Sequence, residues 1–395
     1  MNPGSFFRKY WHILVPSAVF LIHTVIILFL LPNEPVKDER VFYPAALSFR
    51  QLDTVFSYNF LRTYESPQTP LSFIFSGVLL NINNSLTILR MSDAVIVFFI
   101  ILLFCRTIRN ILPDNFFLSL LPVLTFIINP YLHFIGIYYY TDAPYLLFTA
   151  IAVYAIVINR KSILYYTSLF MMPLIRQFGV IYPAGSLIDG IKKEKNLAGK
   201  EILFSLLSLS GLAFFILLWG GLMPENSFRA DMIKIREKFG SVYPYIPAYN
   251  ISAAGFYLAP LFIFMLKDIY KERRSLLCGF AAALFYIIFP ARQNYMTAVV
   301  QPYNVTLGFY HKLFLQTLGD PLFHIVLAAF AFLAGMGLYA LFSSSDVKRI
   351  FKVWIILFFA VSFFNLQAWD KYLLDAELVM LVSGALFYKN SGKEK

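Results

Sequence analysis

The sequence predicts an all-α protein, a polytopic transmembrane helical bundle of about 12 spans with one further helix lying at the outer interface. Three observations carry this. Of 395 residues, 59% are hydrophobic and only 14% charged, whereas a globular domain carries about 25% charged residues. At about 20 residues per bilayer crossing, the apolar residues suffice for about a dozen spans. The 18% aromatic content, with 43 Phe and 25 Tyr, suits lipid-facing and interfacial positions better than a water-facing surface. Soluble-enzyme folds are thereby excluded.

Apolar runs between charged or Pro/Asn-rich breaks place spans near 11–31, 91–105, 116–136, 143–158, 163–175, 178–190, 202–222, 253–267, 275–290, 321–342, 353–369 and 372–388. The first follows Arg8 and Lys9. It is longer than a signal-peptide core, and Leu31-Pro32-Asn33-Glu34 offers no small-x-small cleavage site, so it reads as a retained anchor. The stretch Leu71 to Ile82, between Pro70 and the polar run Asn81 to Ser85, is too short to cross and reads as a helix at the interface.

Basic residues set the orientation, because loops on the cytoplasmic side carry the Lys/Arg excess. With the N-terminus inside, inner segments hold 20 of the 33 basic residues and 8 of the 22 acidic ones, a net +12 against −1 outside. Counting Leu71 to Ile82 as a crossing would turn the basic clusters at 192–200 and 267–274 outward. The overall charge of +11 is therefore a record of topology, and nucleic acid is not a partner.

Three large outer segments result: 32–90, 223–252 and 291–320. Ionisable groups at a membrane face are costly and tend to mark function, so the outer residues are the candidates. Asp38 and Glu39 sit within Lys37-Asp38-Glu39-Arg40 beside the apolar Val41-Phe42-Tyr43-Pro44. Paired carboxylates against an apolar wall can supply a general base, although the tetrapeptide alone also fits a solvated charge cluster. Asp142 lies in Tyr138-Tyr139-Tyr140-Thr141-Asp142-Ala143-Pro144 between two apolar helices, where helix capping and a functional role are both open. Arg176, in Pro173-Leu174-Ile175-Arg176-Gln177-Phe178, stands in an otherwise apolar stretch and needs an anion or water. Arg292, before Gln293 and Asn294, and Lys371, in Trp369-Asp370-Lys371-Tyr372, are candidates for phosphate contact. No HExxH, Walker loop or GxGxxG is present, so these metal and nucleotide chemistries have no support.

The order of these features resembles the GT-C superfamily of glycosyltransferases that use polyprenyl-phosphate sugars: an anchor, an acid just outside it, a long outer loop with an interfacial helix, and a second acid in the next outer turn. Asp38-Glu39 with Phe42-Tyr43-Pro44-Ala45-Ala46, then Ser66-Pro67-Gln68-Thr69-Pro70-Leu71, Tyr139-Tyr140-Thr141-Asp142 and Arg176-Gln177 are similar to the dolichyl-phosphate-glucose α-1,2-glucosyltransferase family. The spacing after Asp38-Glu39 is one residue longer than that family's pattern, and Phe178 replaces a polar residue.

The resemblance implies a GT-C-like catalytic membrane module over 1–190, with the first outer loop 32–90. The remaining helices of the same membrane domain fill 191–395, with outer loops 223–252 and 291–320. It implies inverting sugar transfer at the outer face from a polyprenyl-phosphate-linked donor to a glycan or lipid-linked acceptor, within membrane lipid. By analogy Asp38 is the base, with Glu39 the second candidate. Asp142 orients the acceptor or shares a divalent cation, Mg or Mn, with Asp38; Arg176, with Arg292 or Lys371, holds the donor phosphate; Tyr140, Thr141 and Gln177 contact substrate. The outer face is periplasmic for a prokaryotic inner membrane, the placement a compact chain favours, and luminal for an ER membrane. The competing class is a transporter or lipid flippase, which would show internal repeats and polar groups at the midplane. No repeat is evident, and the acids lie at span ends.

Overall fold

A computed structural model describes residues 3–113, 115–159, 163–191, 195–227, 242–290, 308–364 and 370–391. Regular structure among them is helical throughout. The chain divides into two compact units, one of Met1–Asn110 with Leu132–Lys234 and one of Ile111–Tyr131 with Ile235–Lys395.

The first unit is organised by two long helices. α1 (Pro3–Val25) runs on as a π-helical turn, Ile26–Leu30, and α6 (Leu86–Ile111) returns beside it. Arg109 Nη1 lies 2.8 Å from the His12 ring at one end, while Arg90 Nη1 donates to the Pro32 carbonyl at 2.6 Å at the other. The two helices are therefore antiparallel. Leu21 and Ile22 on α1 and Leu28, Phe29 and Leu30 on the π-helical turn stay exposed, an apolar surface that acyl chains would cover favourably.

Between them the outer segment folds into α2 (Glu39–Ser48), α3 (Leu52–Val55), α4 (Tyr58–Thr63) and α5 (Leu71–Ile82). They close round Phe49, whose ring lies 4.9, 5.3 and 5.5 Å from those of Phe60, Tyr64 and Phe73. A Cβ at Gly77 would stand 2.3 Å from the Phe49 carbonyl oxygen, so glycine is what lets α5 approach this turn. α5 is helical over the bounds the sequence predicts. Its Ser72, Phe73, Ser76, Gly77 and Leu80 are buried, while Phe75, Val78 and Ile82 are exposed. Serines inward and apolar residues outward suit lipid outside and polar contacts within.

After α7 (Phe116–Ile128) and α8 (Pro130–Ile137) come α9 (Asp142–Asn159), α10 (Ile163–Ile175), α11 (Ile181–Ile191) and α12 (Lys195–Trp219). The last four pack together, and Trp219 Nε1 donates to the Leu61 carbonyl at 2.8 Å, fastening α12 to α4.

In the second unit, helix Asp320–Ser343 is central and packs on Arg273–Ile288 and Tyr245–Tyr257. Gly255 permits this. A Cβ there would lie 1.9 Å from the Phe330 carbonyl oxygen, a close approach of the kind small residues allow between membrane helices. Tyr245–Tyr257 and Ala259–Ile269 meet at an 85° bend, with Pro260 at the start of the second, where its missing N–H costs nothing. Helix Leu374–Ser391 is mostly buried, and its Glu377 Oε2 accepts a 2.5 Å hydrogen bond from Asn129 Nδ2 just past α7.

The twelve predicted stretches are helical in their described parts, but few of them are single unbroken helices of bilayer length. Among the described residues, four helices are long and apolar enough to cross: Arg8–Leu30, Leu86–Ile111, Gly199–Trp219 and Leu322–Ser343, or six spans if each of two bent helix pairs counts as one. The reason is local. Several apolar runs break before bilayer length is reached, as at Arg176 between α10 and α11, where the backbone turns extended. The chain is an integral membrane protein.

Candidate functional site

The candidate residues of the first unit meet where α1 ends and α6 and α9 begin. Its centre is the ion pair of Glu39 and Arg90, both shut off from solvent. Arg90 Nε donates to Glu39 Oε1 at 2.8 Å and Nη2 to Oε2 at 2.6 Å. The same carboxylate accepts the backbone N–H of Val36 at 3.0 Å and of Tyr139 at 2.8 Å. Arg90 also reaches the carbonyls of Pro32, at 2.6 Å, and Glu34, at 3.1 Å. A buried charge is tolerated when paired and hydrogen-bonded in this way. One pair thus joins the end of the anchor, the start of α2, the start of α6 and the 138–142 turn.

One turn of α6 further on, Asp93 Oδ2 accepts the N–H of Tyr140 at 2.7 Å. Two buried carboxylates therefore hold two successive amides and shape the turn that presents Thr141 and Asp142. Tyr139 Oη donates to Ser76 Oγ at 2.7 Å, bringing α5 to the same turn. Burial pushes the Tyr139 phenol up, so it stays a donor.

Asp142 opens α9 and pairs with Arg176; their side chains are 14% and 11% exposed. Arg176 sits in the extended break after α10, which Gly179 makes tight: a Cβ there would lie 2.5 Å from the Met172 carbonyl. The next residue, Gln177, donates through Nε2 to the carbonyls of Pro67 and, at 3.2 Å, Leu222. Pro67 lies in a buried turn held by bonds from Ser66 Oγ to Gln68 Oε1 and from Tyr64 Oη to the Gln68 carbonyl. Burial also pushes the Tyr64 phenol up.

Asp38 stands at the residue before α2, half-buried, and its carbonyl accepts the amides of Val41 at 3.0 Å and Phe42 at 3.1 Å. Lys37 before it has a left-handed backbone, φ 53°, and carries its ammonium 4.1 Å from the Phe134 ring centroid and 4.6 Å from that of Tyr138. Desolvation lowers the Lys37 pKa, and the charges of Asp38 and Glu39 oppose the shift.

The structure thus gathers Glu39, Tyr140, Asp142, Arg176 and Gln177 through hydrogen bonds at or beside the 138–142 turn, with Thr141 on that turn and Asp38 covalently next to Glu39. Lys371 belongs to the second unit, buried, with its ammonium 5.6 Å from the Tyr372 ring centroid. Arg292 lies outside the described residues. For a divalent cation the described residues offer no group of three or more His, Cys, Asp or Glu side chains, and Asp142 is engaged by Arg176. Sequence reading passed over Arg90 and Asp93. Their signal was available, since an ionisable pair at i and i+3 shares one face of a helix and opens an apolar span.

No family model matches this chain, and no curated protein does. Among solved structures, the S. cerevisiae protein O-mannosyltransferase Pmt1–Pmt2 complex bound to the sugar donor is similar over 53% of this chain and 33% of that one, at 18% identity and a TM-score of 0.39. The match spans about a third of that neighbour's length.

Proposed function

We propose that this protein is an integral-membrane glycosyltransferase that moves a sugar from a polyprenyl-phosphate donor to an acceptor hydroxyl at the outer membrane face, with inversion at the anomeric carbon. One observation carries the reading. Four short segments that resemble GT-C motifs, at 38–46, 66–71, 139–142 and 176–177, are far apart in sequence yet are joined through Glu39–Tyr139, Pro67–Gln177 and Asp142–Arg176. All lie at helix ends that the basic-residue count assigns to the outer side.

The chemistry follows from what such a transfer needs. The acceptor hydroxyl gives its proton to a carboxylate as its oxygen bonds to the anomeric carbon. The bond from that carbon to the phosphate oxygen breaks, and the lipid phosphate leaves with the electron pair. Asp38 is the base in this scheme. Glu39 is a positioning residue, because its lone pairs are committed to Arg90 and two amides. Arg176 stabilises the departing phosphate; a guanidinium has five donors, enough to keep Asp142 and reach a second anion. No step is assigned to a metal.

Purified protein incubated with a set of radiolabelled polyprenyl-phosphate sugars is expected to move label into a second molecule. Counterflow of such a lipid across sealed vesicles without transfer would instead favour the transporter class.

A further inference from the structure

Three contacts close a ring within the first unit. Pro67 accepts from Gln177, Arg176 pairs with Asp142, and Tyr139 donates to Ser76, while the chain itself links 67 to 76, 139 to 142 and 176 to 177. On these three short segments lie four buried oxygens with no hydrogen-bond partner in the protein: Thr69 Oγ1, Ser72 Oγ, Thr141 Oγ1 and Asp142 Oδ2. Thr69, Ser72 and Thr141 are 0%, 3% and 1% exposed. Each such group costs about 1–3 kcal/mol when left unpaired, and native proteins hold few of them, so four on one ring call for a ligand.

The geometry agrees. Ser72 and Ser76 are four residues apart on α5 and share a face, and Ser76 is the residue that touches the 138–142 turn. Ser72 therefore extends the same contact line toward the helix start, with Thr69 just before it.

We infer that Thr69, Ser72, Thr141 and Asp142 form a seat for the hydroxyl groups of a sugar ring. Three neutral hydroxyls can each donate and accept, and the free oxygen of a carboxylate accepts a ligand O–H. That set suits a neutral polyol better than a phosphate, whose negative charge would face the carboxylate of Asp142. The turn Tyr64–Pro70, which carries Thr69, is braced by its own Tyr64–Gln68 and Ser66–Gln68 bonds. The inference rests on the transferase reading for its biological role, yet binding of a free sugar is measurable without it.

The test uses the full-length protein in lipid nanodiscs, free of glycoside detergent, probed by saturation-transfer NMR with free glucose, mannose and galactose and with inorganic phosphate. Saturation of at least one monosaccharide is expected, unaffected by phosphate. Thr141→Val and Ser72→Ala, measured separately, should each weaken it about threefold to tenfold. Displacement of the sugar by a polyprenyl-phosphate-linked sugar assigns the seat to the donor; persistence beside that lipid assigns it to the acceptor; either supports the seat.

No saturation by any of the three sugars, or equal saturation in both variants, overturns it. So does a gain in thermal stability of either variant with sugar binding unchanged, since the hydroxyls would then serve only trapped water. Label transfer that is unaltered in both variants sinks the seat and leaves the transferase. Sugar binding without transfer from any donor sinks the transferase and leaves the seat.

Discussion

Arg90 grips Glu39 with two hydrogen bonds, 2.8 Å and 2.6 Å long, in a place shut off from solvent. Removing one member strands the other. Glu39→Gln leaves the guanidinium without its counter-charge, a loss of about 3–5 kcal/mol for a buried pair. The expected outcome is a sharp fall in monodisperse protein by size-exclusion chromatography. Replacing both residues with apolar ones of similar volume removes the stranded charge but leaves the Val36 and Tyr139 amides without their acceptor, so only part of the yield should return. A fully stable Glu39→Gln would contradict the buried pair.

Asp93 and Tyr140 give a finer test of the turn. Asparagine keeps an acceptor oxygen for the Tyr140 amide, so Asp93→Asn should be nearly as stable as the parent. Asp93→Leu leaves that buried N–H unpaired and should cost about 1–3 kcal/mol. Equal thermal midpoints for the two variants would show that the bond contributes nothing.

Much of this was legible from residue order. Helices form where the apolar runs lie, and Leu71 to Ile82 is helical with the predicted ends because Pro70 and the Asn/Ser run punctuate it. Asp142 and Arg176 stood out as charges in apolar surroundings, and they prove to be partners. The difference between Asp38 and Glu39 was not legible. Neighbouring residues on a helix point about 100° apart, and only the return of α6 and the 138–142 turn decides which carboxylate is enclosed. Arg90 meets Glu39 across 51 positions and Asp93 meets Tyr140 across 47, distances over which no local pattern reports. Crossing number was not legible for a related reason, since composition counts apolar residues and says nothing of where the helix breaks.

Gly77 is a steric test of the aromatic hub. Its added Cβ would meet backbone at 2.3 Å, the Phe49 carbonyl, which cannot swing aside as a side chain could. Gly77→Ala should destabilise by about 1–3 kcal/mol, the usual range for overpacking, read as a lowered Tm in detergent. An unchanged Tm would mean that α2 and α5 separate at no cost.

Lys37 yields a pH prediction. Its pKa in the folded protein is below the free value, so the unfolded chain binds that proton more tightly and stability rises with pH through the interval between the two values. In the same interval the folded protein carries more neutral amine at this position than a free lysine would. Competitive acylation at pH 8.5 followed by mass spectrometry should label Lys37 faster than an average exposed lysine. Asp38→Asn removes a charge that opposes the shift and should speed labelling further. Slower labelling of Lys37 in that variant would contradict the assignment.

Asp38 is the residue on which the proposed chemistry turns, and it lies outside the bonds that hold Glu39 in place. The direct measurement is label transfer from polyprenyl-phosphate sugar by Asp38→Asn, set against its yield and Tm. The account predicts a folded, membrane-inserted protein with normal Tm and transfer lost by at least about a hundredfold, as expected on removing a general base. Transfer at the parental rate by that folded variant would contradict it.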